Sequence, residues 1–296
     1  AYDISLGLVG SEMCIRDRIM AGMGVLHLDV AVNLIRDAKV EIVTSEPLIN
    51  YRETITGSCE AVMAKSPNRH NKIFMRVEPL EPEIAEMCRN GTLSDMKDKK
   101  EVAQLLRDQG WEPDVAKKVM KFDSRGNVMI NGTRGVQFVD ESTDSLLSGF
   151  EEVMSEGGLT KEQVRDCKFT FTHFVPHEDT AHRGLSQLGP ASRRACLAAF
   201  LSAGPMILEP MLAIEVRVPT DLIGNVSSVL QGKRGKVLDM QQKGATSIVI
   251  GEVPAVETFD ISEKMRGQTA GKAMWNLSLI HISEPTRPRL ISYAVF

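Results

Sequence analysis

Four histidines stand where imidazole chemistry could be used. His70 sits in a polar turn, Ser66-Pro67-Asn68-Arg69-His70-Asn71, while His173, His177 and His182 fall within one ten-residue window. Imidazole ligates metals, moves protons near neutral pH, and stacks on bases or pairs with phosphates. Three uses are open. His173, His177 and His182, with Glu178 or Asp179, could hold zinc or iron in a small metal-dependent enzyme. That spacing fits no established ligand signature, and an alternating strand over Lys168–Val175 would splay His173 away from the loop. The second use is none at all, as ordinary surface-loop residues. The third is an RNA-contacting tip, with Lys65, Arg69, Lys72 and Arg183 as cations and Asn68, Asn71 and Gln187 as hydrogen-bonding groups. A tip requires the 66–71 turn and the 177–187 loop to meet at one end of a sheet. His27, in an apolar helix-like run, reads as packed, and so does His173 beside Phe169, Phe171 and Val175.

Other chemistry is missing from the string. There is no G-x-x-x-x-G-K-[ST] phosphate loop, no G-x-G-x-x-G, no G-x-S-x-G and no H-E-x-x-H. The chain therefore shows no catalytic core, and no nucleotide cofactor is expected in it. The net charge of −4 supplies no global attraction to RNA, so a nucleic-acid contact has to come from a local basic patch.

The elements that would position the histidines follow from periodicity. Helices are expected over Gly24–Arg36, Pro82–Arg89, Ser94–Gln109 (capped by Ser94, ended by Gly110), Thr143–Ser155 and Arg193–Ala203. Strands are expected over Lys39–Thr44, Cys59–Met63, Lys72–Pro79, Asn127–Asn131, Gly135–Val139 and Lys168–Val175. From Leu212 the order strand, helix (Thr220–Leu230), strand (Lys236–Met240), strand (Ser247–Val253), helix (Phe259–Arg266) and a last strand at Gly271–Asn276 implies a small α+β sandwich.

The 296 residues, 43% apolar and 25% charged, suit about two soluble domains, and no apolar run is long enough to cross a membrane. Five scattered cysteines (Cys14, Cys59, Cys88, Cys167, Cys196) without a C-x-x-C pair argue for a reducing, cytoplasmic setting. Ser5–Arg18 (SLGLVGSEMCIRDR) is no signal peptide. It and the end from about Leu277 (LSLIHISEPTRPRLISYAVF) resemble translated sequencing adapters. Residues 1–18 and 276–296 are accordingly expected to be non-native, and the last strand to be cut short by the junction.

Five blocks, in order, resemble the archaeal and eukaryotic translocation-factor family, elongation factor 2, its archaeal branch most closely: GMGVLHLDV (22–30), NYRETI (50–55), KSPNRHNK (65–72), HEDTAHRGLSQ (177–187) and QGKRGKV (231–237). The resemblance implies the end of domain III at 19–47, domain IV at 48–210 and domain V at 211–275. The implied fold class is α+β and multi-domain: a ribosomal-protein-S5-like domain IV, with a ferredoxin-like domain III remnant and domain V. It implies that Lys65, Pro67, Asn68, Arg69, His70, Asn71 and Lys72 form one tip loop of domain IV, and that His177, Asp179, His182, Arg183, Gly184 and Gln187 belong to another. In this family one histidine of the second loop becomes diphthamide, which would be His182. The sequence departs from the family at Thr180-Ala181, Leu185-Ser186 and Val25. The implied partners are the ribosome (ribosomal RNA, transfer RNA and messenger RNA at the decoding region) and the diphthamide-synthesis enzymes, with no membrane and a monomeric state. GTP and Mg2+ are expected only in the family's nucleotide-binding domain, and no metal here. Ribosome-assembly or spliceosomal paralogues, or the bacterial translocase, are the alternatives within the fold family.

Overall fold

The structure is a computed structural model that describes residues 4–9, 18–22, 25–40, 42–44 and 48–283. It divides into two compact units, residues 1–51 with 208–296, and residues 52–207.

In the first unit, β1 (Ile4–Val9) pairs antiparallel with β2 (Arg18–Gly22). After α1 (Val25–Asp37), β3 (Val43–Thr44) and β4 (Leu48–Ile49) both pair with β1. Leu28 and Val32 of α1 pack with Ile42. The strand expected from Lys39 starts only at Val43, because Lys39 and Val40 finish the helix: Lys39 N–H donates to Arg36 and takes φ 60°, and Val40 N–H donates to Ile35. Of the segment expected to be foreign, Ile4–Val9 and Arg18 lie in these strands; residues 1–3 and 10–17, Cys14 among them, lie outside the described residues.

The second unit opens with β5 (Arg52–Ile55), β6 (Val62–Lys65) and β7 (Lys72–Pro79). There follow α2 (Pro82–Arg89), α3 (Lys99–Asp108), α4 (Pro113–Ala116), β8 (Val119–Asp123) and β9 (Asn127–Asn131). It continues with α5 (Val139–Ser155), β10 (Cys167–Val175) and α6 (Leu185–Ser202). The sheet order is β6-β7-β10-β9-β8, antiparallel except for the parallel β10–β9 pair. Ile73, Met75 and Val77 of β7, with Phe169 and Phe171 of β10, meet Leu146, Phe150 and Val153 of α5 and Leu188, Ala195 and Phe200 of α6. β9 is buried on both faces: Met129 joins this core, whereas Val128 and Ile130 join a second one under α2 and α3.

Four expectations need correcting. The strand expected over Cys59–Met63 begins only at Val62 and runs to Lys65. α3 is capped by Asp98, whose carboxylate accepts from Lys100 N–H at 2.9 Å, and Ser94 lies outside it. Gly135–Val139 is no strand, since Gly135 (φ 64°) and Phe138 (φ 63°) take left-handed backbone and α5 begins at Val139. α6 starts at Leu185, well before Arg193, because Gly184 and the turn ahead of it already supply its N-terminus and Pro190 is tolerated within it.

The chain returns through β11 (Pro205–Pro219), α7 (Ile223–Gly232), β12 (Lys236–Lys243), β13 (Thr246–Pro254), α8 (Ile261–Thr269) and β14 (Met274–Ser283). The antiparallel order β12-β13-β11-β14 makes this the ferredoxin-like βαββαβ arrangement, with Ile214, Val216, Val226, Leu230, Val249 and Met265 in its core. β14 is not cut at Asn276: its main chain pairs with β11 as far as Ser283 opposite Glu209, an interaction that any residue with a free N–H can make.

Candidate nucleic-acid interface

Register decides where the two histidine segments leave the sheet. Lys72, first residue of β7, partners both Val175, last of β10, and Lys65, last of β6. The 66–71 turn and the loop after Val175 therefore emerge side by side. The turn is closed by Ser66 N–H on the Asn71 carbonyl (3.0 Å) and Arg69 N–H on the Ser66 carbonyl (2.8 Å), with Arg69 left-handed at φ 63°. Ser66 Oγ also accepts from Asn71 N–H at 3.0 Å.

Side-chain amides then dock one segment on the other. Asn71 Nδ2 donates to the His182 carbonyl at 2.7 Å and Asn68 Nδ2 to the same oxygen at 3.3 Å. Asn71 Oδ1 accepts from His177 N–H at 2.9 Å, and Gln187 Oε1 from Asn68 N–H at 3.0 Å. Within the loop, Asp179 caps a 3-10 turn (Thr180–His182) by accepting from Ala181 N–H, and its own N–H donates to His177 Nδ1 at 3.1 Å. That bond uses Nδ1 of His177 as an acceptor and fixes the ring against the turn. The result is a cluster of three imidazoles. Ring centroids are 5.0 Å apart for His70 and His177, 5.1 Å for His70 and His182, and 4.6 Å for His177 and His182.

Around the cluster, Lys65, Pro67, Arg69, His70, Lys72, Asp179 and Gly184 are exposed, and Asn68, His177, His182 and Gln187 half-buried. Among the described residues no ion pair engages Lys65, Arg69 or Lys72. Asn71 is fully buried. Arg183, expected as an exposed cation, is also buried, its side chain only 5% accessible. Its guanidinium lies 3.9 Å over the Phe138 ring and donates to Glu141 Oε2 and Thr180 Oγ1, each at 3.1 Å. His173 stands apart, its ring 5.4 Å from that of Phe74, beyond a bulge in β10. The trio considered for a metal is thus not assembled, and among the described residues no group of three His, Cys, Asp or Glu side chains is placed to hold one.

Ser66, Phe138 and Glu141 are the site residues that sequence reading missed. Ser66 had a signal, the S-P-N-x-x-N string in which a hydroxyl and two amides close a turn on themselves. Phe138 had none, since its left-handed backbone reads as an alternating strand.

The other basic block, around Lys233-Arg234, is engaged internally. Arg234 pairs with both carboxylate oxygens of buried Glu209 at 3.0 and 3.1 Å and with Glu257 at 2.9 Å, while Lys233 meets Asp260 at 2.5 Å. Arg234 is held above its ordinary pKa: burial opposes the shift, but hydrogen bonds to Glu209 and Glu257 outweigh it.

Residues 91–204 match the protein family described as Elongation factor G, domain IV, and residues 206–287 that described as Elongation factor G C-terminus. The chain is 70% identical over 274 residues, 93% of its length, to elongation factor 2 of Cenarchaeum symbiosum. It is 42% identical to that of Sulfurisphaera tokodaii and 44% to that of Desulfurococcus amylolyticus, over 87% of its length in each. It spans 38% of the first of these relatives and 35% of the other two. Two consecutive family domains and these identities place the chain in the elongation factor 2 family, as a C-terminal part of such a protein.

Proposed function

We propose that this chain is the ribosome-contacting part of a factor that moves transfer RNA and messenger RNA through the ribosome. GTP and Mg2+ chemistry belongs to a domain whose P-loop motif this sequence does not contain. The observation that carries the reading is the docking of the 66–71 turn on the His182 carbonyl through Asn68 and Asn71. It presents three imidazoles with Lys65, Arg69 and Lys72 on one rim, a composition suited to RNA phosphates and bases. On this reading the rim enters the decoding region, and His182, its side chain 43% accessible, is the diphthamide site read by the modifying enzymes. The remaining expectations, a monomer in the cytoplasm, belong to the same reading.

A chimaera tests it: residues 19–275 replace the matching segment of elongation factor 2 from Cenarchaeum symbiosum, and single-round translocation and GTP hydrolysis are followed separately. Arg69→Glu is expected to slow translocation about tenfold, the equivalent of one lost charge-assisted contact, and to leave GTP hydrolysis unchanged. Equal loss of both activities would sink the proposal.

A further inference from the structure

The same end of the second unit carries a third loop, which neither tip block of the sequence covers. β9 runs parallel to β10, partnering Asn131 with Phe171, and Gly132 N–H donates to the Phe171 carbonyl at 2.9 Å. Residues 132–138 therefore leave toward the end from which the His182 loop emerges, starting about 13 Å short of Val175 at ~3.3 Å per residue. The loop is ordered by its own bonds. Thr133 donates to Asn131 Oδ1 through both its N–H (3.0 Å) and its hydroxyl (2.7 Å), and Lys118 Nζ reaches the Thr133 carbonyl at 3.5 Å. At its far end Phe138 lies under the Arg183 guanidinium, so the loop is tied to the residue after His182. Between these anchors Arg134 is exposed and, among the described residues, has no ion-pair partner. The nearby carboxylates are Asp140 and Glu141 in the first turn of α5, and Glu141 is engaged by Arg183.

We infer that loop 132–138 is part of the RNA-facing surface, with Arg134 taking a phosphate and Lys118 flanking it, and that Arg183 positions this loop against the His182 turn without touching RNA. The inference rests on the function proposed above. Arg183 is already paired with Glu141 and buried, so it cannot neutralise a phosphate and displace the cation condensed there, whereas exposed Arg134 can.

Salt dependence separates the roles. Binding of the full 296-residue chain to purified archaeal small ribosomal subunits is measured across potassium chloride concentrations, and log K is plotted against log[salt]. Each lost phosphate contact shallows the slope by about 0.7–0.9. Arg69→Gln and Arg134→Gln should each do so, with Lys118→Gln acting in the same direction. Arg183→Gln should weaken binding by a constant factor at every salt concentration, with Arg183→Lys restoring part of it. An Arg134→Gln slope equal to the parent's, while Arg69→Gln shallows it, overturns the third loop alone. If neither changes the slope, or the parent chain does not bind, the proposed function falls with it. A shallower slope for Arg183→Gln overturns its positioning role. Far-UV circular dichroism of each variant shows that the exposed-residue changes leave the fold intact.

Discussion

Asn71 holds the tip together more than any of the histidines does. Fully buried, it donates to the His182 carbonyl and to Ser66 Oγ and accepts from His177 N–H, so both ends of its amide are used. Asn71→Ala would leave those buried groups unpaired, at a cost of about 2–4 kcal/mol in a urea titration, with resonances of residues 66–71 and 177–183 shifting together. The sequence singled out this asparagine as a surface hydrogen-bonding group; the partners that bury it are more than a hundred residues away. The thiols behave in the same way. Burial pushes Cys88 and Cys196 up to about 12 and Cys167 higher still, so none is a thiolate near neutrality. These three should react with a disulfide reagent at pH 8 only once denaturant has unfolded the chain.

At the scale of elements, the α5–α6 crossing carries the loops. An added Cβ on Gly149 would stand 2.5 Å from both Arg193 N and the Gly189 carbonyl, so the two helix backbones touch there. Ser192 Oγ reinforces the crossing by donating to the Leu146 carbonyl at 2.6 Å. Gly149→Ala should force the helices apart and cost about 1–3 kcal/mol, read as a lower melting temperature. Because α5 carries Glu141 and α6 begins just after Gly184, the same change should alter accessibility at His182. The helix over 143–155 was legible from its apolar spacing, Leu146, Phe150 and Val153 being buried as expected. The loop before it was not, because alternation in Gly135–Val139 is a strand signal whose outcome was set by Phe138 packing on Arg183.

Across the whole molecule, charge pairing sets how stability responds to pH. Asp260 is held below its ordinary value chiefly by the hydrogen bond from Lys233; Glu257 is also lowered, burial opposing and Arg234 prevailing. In the other unit burial would raise Glu78, but its bond to Lys168 wins. Such carboxylates contribute stability that is present above their unfolded values, about 3.9–4.3, and lost as pH falls through the folded ones. Glu162, raised by burial, runs the other way. For Lys233, burial opposes the shift but the bond to Asp260 raises it, and Lys121 is raised first by Glu151 and then by Asp95. Their contribution is complete below about pH 10.4 and fades above it. Denaturant midpoints should therefore be flat between about pH 5 and 9 and fall below pH 4. An Asp260→Asn variant should lower the plateau and lose less on acidification, as a pH series of urea melts would show.

What the sequence determined by itself was local: two-residue alternation placed β7 and β10 to within a residue, apolar spacing found α5, and the strand–helix order from Leu212 onward implied the βαββαβ unit. Those signals survive because side-chain direction in a strand or helix depends only on neighbours along the chain. Only the tertiary structure could decide that Lys72 faces Val175, that Asn71 reaches the His182 carbonyl, and that Arg183 turns inward to Phe138 and Glu141. Each of these depends on pairing register and helix packing between residues tens to a hundred positions apart. There the free energy of burying a side chain overrides what its type alone suggests.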